Sequence, residues 1–355
     1  MKIAQVDVLQ VRVPLDNPYG AAREVPAAVA CLKTDEGLDG VGHVMPLYGR
    51  QFRSLVAAVQ ELAEAIIGAD PRRPELVHRK MIPDGTGTGG VGNMAAAALD
   101  IAVWDLAAKA AGLPLHRMLG GHKDRVPVYA SLRLGREVPA EELPKIARSL
   151  VAQGFRAMKM NLGGEATPEA DLARVRSVRE AIGPQVSLLA DVNFRWTPSQ
   201  AIRMGQALRE FGLFWLEDPV PTHNLEGLAE VRRAIGTPVA AGEALFGLAP
   251  FRGLFEARSV DFPMPDLARV GGVTPYMKVA HLAEAFGLPL ACHLQPEVST
   301  QVLAAVPNGV IGEFVPWAWK LYRGCPLLEN GELIMGQQPG HGMELDRDFV
   351  KEHAI

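Results

Sequence analysis

Between residues 127 and 314 the chain repeats one pattern eight times: a short apolar run, then, in all but the last case, a stretch with helical spacing. The runs are VPVYAS (127–132), RAMKMN (156–161), VSLLAD (186–191), LFWLE (213–217), PVAAGE (238–243), VDFPMP (260–265), LPLACH (288–293) and GVIGEF (309–314). Strands that are apolar on both faces belong in a parallel sheet covered by helices, because an exposed sheet would show one polar face. Eight such units predict an α/β fold with a (β/α)₇β barrel of the TIM type. An open, doubly wound sheet is the architectural alternative.

Ahead of the barrel, residues 3–13, 26–34 and 39–44 alternate as a strand meander, with Asp35-Glu36-Gly37 as the last turn. Helical patterns follow at 50–67, 72–82 and 94–111, and Gly120-Gly121 ends the regime. The expected organisation is an N-terminal α+β capping domain (1–124), the barrel (125–320) and a C-terminal segment (321–355) that returns to the capping domain. The long apolar stretch at 94–112 is interrupted by Asp100, Asp105 and Lys109, which reads as a buried alanine-rich helix and not a bilayer span. The first residues lack the apolar core of an export signal. Cys31, Cys292 and Cys325 show no CxxC spacing, which suits a reducing compartment, and the cytoplasm is the expected location. A net charge of −4 argues against nucleic acid, and no membrane partner is expected; the partner should be a small-molecule carboxylate, and the chain a homo-oligomer.

Barrel active sites form at the C-terminal ends of the strands. There the chain places Lys159 and Asn161, Asp191, Glu217, Glu243, Asp266, His293 and Glu313. Asp191, Glu217 and Glu243 are separated by 26 residues each time, one βα unit, so three acids occupy equivalent places on neighbouring strands. Any one alone could be an ordinary helix cap. Three together would repel one another unless a cation neutralises them, and an all-oxygen donor set favours Mg²⁺, with Mn²⁺ also suitable. Asp266 and His293 end adjacent strands, so a carboxylate can orient the imidazole for acid–base work. Glu313 is placed to meet substrate oxygens.

Specificity is expected from loops at residues 14–24 and 45–53, with Tyr19, Arg23, Tyr48 and Arg50 as candidates. Trp317, Trp319, Asn193, Arg195 and His223 are further candidates near the mouth. The glycine-rich GTGTGG (85–90) lacks the GK[ST] ending of a phosphate loop and reads as a connector, and Gly271 and Gly272 read as a tight turn.

At these residues the chain resembles the enolase superfamily, and specifically its mandelate racemase/muconate lactonizing enzyme-like branch, including the sugar-acid dehydratases. The resemblance runs through AAAALDIAVWDLAAKAAGLPLHRMLGG (95–121), ADVN (190–193), WLEDP (215–219), AAGE (240–243), PDLARVGGVT (265–274), His293 and IGEF (311–314). It implies Asp191, Glu217 and Glu243 as Mg²⁺ ligands, Asp266 and His293 as a catalytic dyad, and Glu313 as a hydrogen-bonding acid at the substrate carboxylate. One departure stands out. Members that work on both faces of the α-carbon carry Lys-x-Lys on the second strand, but here the run is Lys159-Met160-Asn161. Dehydratases with Asn there carry a His where this chain has Asn193. With His293 as the one visible base, elimination of water from a sugar acid is the expected reaction. A racemase, epimerase or cycloisomerase is the alternative, and a non-catalytic acid-binding barrel is the rival of another class.

Overall fold

The computed structural model describes residues 1–46, 51–82 and 89–355. Strands β1 (Ile3–Tyr19), β2 (Ala22–Thr34) and β3 (Asp39–Val44) form an antiparallel meander. Residues 14–24, expected as a loop, are the far end of the β1–β2 hairpin: Pro14 pairs with Glu24 and Tyr19 with Ala22, with an irregular register between. Pro14 and Pro18 both fall within β1. They sit on an edge strand where the ladder already slips, so their missing N–H groups cost nothing. The side chain of Tyr19, together with Tyr48, Arg50 and residues 85–88 of the glycine-rich run, lies outside the described residues.

Helices α1 (Phe52–Ile66), α2 (Pro74–Met81), α3 (Val91–Ala111) and α4 (Leu115–Met118) complete this first unit. The alanines of α3 have a packing reason. Residues 95–103 are all buried, and β3 crosses the helix through Gly40 and Gly42 at backbone distance. A Cβ on Gly42 would collide with the Ala98 carbonyl and lie 2.7 Å from Ala102 N. Both obstacles are main chain and cannot rotate away. Gly42→Val should therefore destabilise the protein by about 1–3 kcal/mol or more, read as a lower denaturant midpoint at unchanged m-value. An unchanged midpoint would show that β3 and α3 can part.

The barrel strands are β4 (Arg125–Leu134), β5 (Ala157–Asn161), β6 (Ser187–Asp191), β7 (Leu216–Glu217), β8 (Val239–Ala241), β9 (Phe262–Pro263), β10 (Leu290–Cys292) and β11 (Gly309–Phe314), all parallel to their barrel neighbours. Their order runs β10-β11-β4-β5-β6-β7-β8-β9. The ring is closed between β9 and β10 by a parallel bridge between Asp266 and His293. One residue from each strand or its flank fills the barrel: Tyr129, Ala157, Leu189, Trp215, Ala240, Met264, Ala291 and Ile311. The rings of Tyr129 and Trp215 meet edge to face at 5.5 Å, and the alanines make room for them.

Between the strands run α5 (Leu143–Ala152), α6 (Pro168–Ile182), α7 (Pro198–Leu208), α8 (Leu225–Ile235), α9 (Ala249–Glu256), α10 (Leu267–Val270), α11 (Val273–Ala285) and α12 (Pro296–Ala305). A 3₁₀ turn, Trp317–Leu321, follows β11 where an eighth helix would stand. The tail divides its contacts. Strand β14 (Glu332–Ile334), paired with β13 (Leu327–Glu329), extends the start of β4 antiparallel, and β12 (Tyr322–Arg323) pairs with β15 (Glu344–Leu345). The tail also returns to the capping domain, where the Tyr322 hydroxyl meets His43, His341 N–H donates to Asp105 and, past α13 (Arg347–Glu352), Arg12 N–H donates to His353 O and Ile355 N–H to Gln10 O.

Gly271 and Gly272 form the turn between α10 and α11 with φ of 108° and 110°. At Gly272 the carboxylate of Asp100 occupies the space a side chain would need, accepting from Thr274 N–H at 2.9 Å and its hydroxyl at 2.7 Å. The buried acids of α3 are thus ties between layers.

Candidate active site

Side chains alternate along a strand, so the residue two beyond each barrel-filling position points inward one layer closer to the C-terminal mouth. That layer consists of Ser131, Lys159, Asp191, Glu217, Asp266, His293 and Glu313, every one of them buried. Apolar filling thus gives way to charge in a single step. On the fifth strand the step lands on Gly242, whose φ of 131° resets the alternation so that Glu243 turns in instead. The chain just past several strands is held in left-handed backbone at Leu132, Asn193, Phe194, Asp218, Leu294 and Gln295. Such conformations persist only where the surroundings over-determine them, and they gather at functional mouths.

Lys159 is the centre of one half of the layer. Its Nζ lies 2.5 Å from Glu217 Oε1, 2.9 Å from Glu313 Oε1 and 3.4 Å from Asp191 Oδ2. Burial alone would lower its pKa, but Glu217 and Glu313 outweigh burial and hold it well above the ordinary lysine range. Burial pushes Glu217 well above the usual carboxylate range despite Lys159, and Trp215 Nε1–H donates to its other oxygen at 2.9 Å. Glu313 goes the other way. Against burial, Lys159 and His293 hold it down at about 2, and its Oε2 accepts the Leu294 N–H at 3.0 Å.

The other half is built on His293. Its Nδ1 is 2.7 Å from Asp266 Oδ2, leaving Nε2 facing the barrel axis, 3.1 Å from Glu243 Oε2 and 3.9 Å from Glu313 Oε2. Burial opposes protonation of the ring, yet Glu243, the Asp266 hydrogen bond and Glu313 raise its pKa to about 9. Asp266 is itself held below the usual range, burial being outweighed by His293 and Arg269. Arg269 donates its N–H to Asp266 Oδ1 and its guanidinium to the Glu243 carbonyl, so one residue braces both.

Opposite His293, the second face is lined by amides. Asn161 Nδ2 donates to Asp191 Oδ2 (3.3 Å) and Asn193 Oδ1 (3.1 Å), while Asn193 binds both Asp191 oxygens at 2.8 Å. Arg136 closes the group, with Nη1 2.7 Å from Asn193 Oδ1 and Nε 2.6 Å from Leu162 O.

Six buried carboxylates, Asp191, Glu217, Asp218, Glu243, Asp266 and Glu313, thus face Lys159, half-buried Arg269 and one imidazole. Asp218 Oδ2 has no hydrogen-bond partner among the described residues, and burial together with Glu243 and Glu217 pushes its pKa well up. Among the described residues no three His, Cys, Asp or Glu side chains are gathered as a ready metal cage; the Lys159 ammonium lies among the acids instead. The chemistry of the donors nonetheless fits a hard divalent cation. They are oxygen only, and the acids outnumber the cations that compensate them.

The remaining candidates are scattered. Trp317 lines a cavity beside the dyad with Met45, Met94, Leu294 and Gln295. Trp319 packs edge to face on Phe314 at 5.3 Å. Arg23 is exposed on the β1–β2 hairpin, and Arg195 and His223 are exposed after the third and fourth strands, so none of these three joins the buried group. Sequence reasoning passed over Asp218, Arg269 and Arg136. Asp218 and Arg269 stood inside quoted motifs, whereas Arg136 carried no signal, since it reaches the site from beyond the end of β4.

Residues 2–120 match the family described as mandelate racemase / muconate lactonizing enzyme, N-terminal domain, and residues 142–349 the enolase C-terminal domain-like family. The chain is 32% identical to L-talarate/galactarate dehydratase of Salmonella typhimurium over 94% of this chain and 86% of that protein. It is 33% identical to 3,6-anhydro-alpha-L-galactonate cycloisomerase of Streptomyces coelicolor over 97% of each. The crystal structure of L-talarate dehydratase from a Polaromonas species, complexed with Mg and L-glucarate, superposes with a TM-score of 0.93 at 31% identity, covering 100% of this chain and 97% of that one.

Proposed function

This chain belongs to the mandelate racemase/muconate lactonizing enzyme branch of the enolase superfamily, and on that premise we propose that it is a Mg²⁺-dependent dehydratase of an aldonic or aldaric acid. The α-proton of a carboxylate is so weakly acidic that its removal needs strong stabilisation of the enediolate. Mg²⁺, which Asp191, Glu217 and Glu243 would hold, supplies Lewis-acid stabilisation of that charge. Lys159 adds a fixed ammonium to the same oxygens, and Glu313 orients the carboxylate.

With a cation compensating Glu243, the acid that most raises its pKa, His293 would be the free imidazole, and its Nε2 would take the α-proton while Asp266 holds Nδ1 and stabilises the imidazolium. The imidazolium then gives that proton to the β-hydroxyl. The C–O bond breaks with its electron pair, water leaves, and the enol tautomerises to a 2-keto-3-deoxy acid. The observation that carries elimination is the amide-lined second face: Asn161, Asn193 and the Arg136 guanidinium cannot accept a proton near neutral pH. Lys159, the other basic group near this face, is held as the ammonium by Glu217 and Glu313, so among the described residues the amide face offers a two-base inversion no ready acceptor.

Incubation with Mg²⁺ and a panel of aldonic and aldaric acids should give keto acid and release water. Solvent deuterium washing into recovered acid, or a change in optical rotation without loss of water, would replace this reading with a racemase, epimerase or cycloisomerase. Residence in the cytoplasm and self-association are parts of the same proposal.

A further inference from the structure

Behind the dyad lies a fully buried polar chain that the chemistry above does not use. His43, on β3 of the capping domain, is 0% exposed, and so is Glu297 in the first turn of α12. His43 Nδ1 is 2.7 Å from the hydroxyl of Tyr322, in the tail, and its Nε2 is 3.0 Å from Glu297 Oε1. The same Nε2 is 3.4 Å from Gln295 Nε2, so the ring touches the carboxylate and the Gln295 side chain at once. Neither Glu297 oxygen has a hydrogen-bond partner among the described residues, and the His43 ring is the polar group that lies against it, at 3.0 Å. The His43 carbonyl also accepts from Gln295 Nε2 at 3.0 Å.

The segment these contacts grip is the one that carries the base. Leu294 and Gln295, between His293 and Pro296, are both left-handed, with φ of 51° and 45°. Neither is glycine, and Gln295 precedes a proline, which narrows its choices further. Two such residues in succession hold only if clamped. One clamp comes from the barrel, the Glu313 bond to Leu294 N–H, and Ser299 Oγ adds bonds to the Leu294 and Gln295 carbonyls. The other clamp comes from His43.

We infer that His43, set by Tyr322 and paired with Glu297, is a positioning residue that fixes the His293 segment, so that the capping domain sets the angle of the catalytic imidazole. The inference rests on the proposed role of His293. His43→Leu should lower kcat about tenfold or more, as loss of an outer partner of a reacting group does, with KM and Mg²⁺ affinity within about twofold. His43→Gln, whose amide can still donate to Glu297, should recover most of that loss.

A purely structural role would lower the melting temperature and leave kcat per folded molecule unchanged in His43→Leu, and that result overturns the inference. Should His43→Leu not fold, Tyr322→Phe, which removes one hydroxyl, decides by the same split of kcat from KM. His293→Asn run alongside separates the two levels: an active His293→Asn overturns both readings, whereas an inactive one beside a normal His43→Leu overturns this inference alone.

Discussion

Replacement of His293 by asparagine is expected to lower turnover by about 10²–10⁴-fold, the usual worth of a positioned acid–base group, and to stop exchange of the α-proton with solvent deuterium. Asparagine is the informative choice, because its amide can still donate to Asp266 where Nδ1 does now, 2.7 Å away, while nothing replaces Nε2. The barrel seam should survive and only the proton acceptor should be lost. Mg²⁺ affinity, followed by calorimetry, is expected to change little, since the imidazole is not among the proposed ligands. Normal exchange in this variant would transfer the base to another residue and overturn the assignment of His293.

Chelation is expected to be as severe and fully reversible. Dialysis against EDTA should reduce keto-acid formation by at least about 10³-fold, more than the loss of one oxyanion-stabilising donor, and added Mg²⁺ should restore it. The fold should not collapse with the activity. Lys159 sits 2.5 Å from Glu217 and 2.9 Å from Glu313, so the chain itself supplies these acids with a counter-charge. Far-ultraviolet circular dichroism of the chelated protein should therefore match the loaded form, with a melting temperature lower only by the lost binding energy. Full activity after exhaustive chelation would remove the metal from the chemistry, and with it the reason for the three strand-end acids.

Much of this was legible in the sequence because burial is an intolerant environment. A charge that ends an apolar strand needs compensation, and the spacing of Asp191, Glu217 and Glu243 places three such charges in one buried layer. What could not be read has equally physical causes. The apolar runs predicted strands of five or six residues, but β7 and β9 have two, since a run marks what is buried and the ladder depends on tilt and twist. The hairpin at residues 14–24 was masked by prolines that an edge strand tolerates. The tail (321–355) was expected to return to the capping domain, and His341 and the end of the chain do touch it, but β14 joins β4, because hydrogen-bond demand at a sheet margin leaves no trace in composition. His43 and Glu297, 254 residues apart, meet only through the packing of two domains, and no local pattern encodes that.

The seam between β9 and β10 has a further consequence. Elsewhere the ring is sewn by ladders of two to five paired residues, but here a single bridge and one His293 N–H to Pro265 O bond of 3.3 Å carry the closure. The shortest backbone ladder of the ring is thus the one holding base against orienting acid, with their 2.7 Å side-chain contact across it. Amide exchange at His293 would report barrel integrity and readiness for chemistry as one quantity, and a cleft molecule splayed along that line would lose shape and competence together.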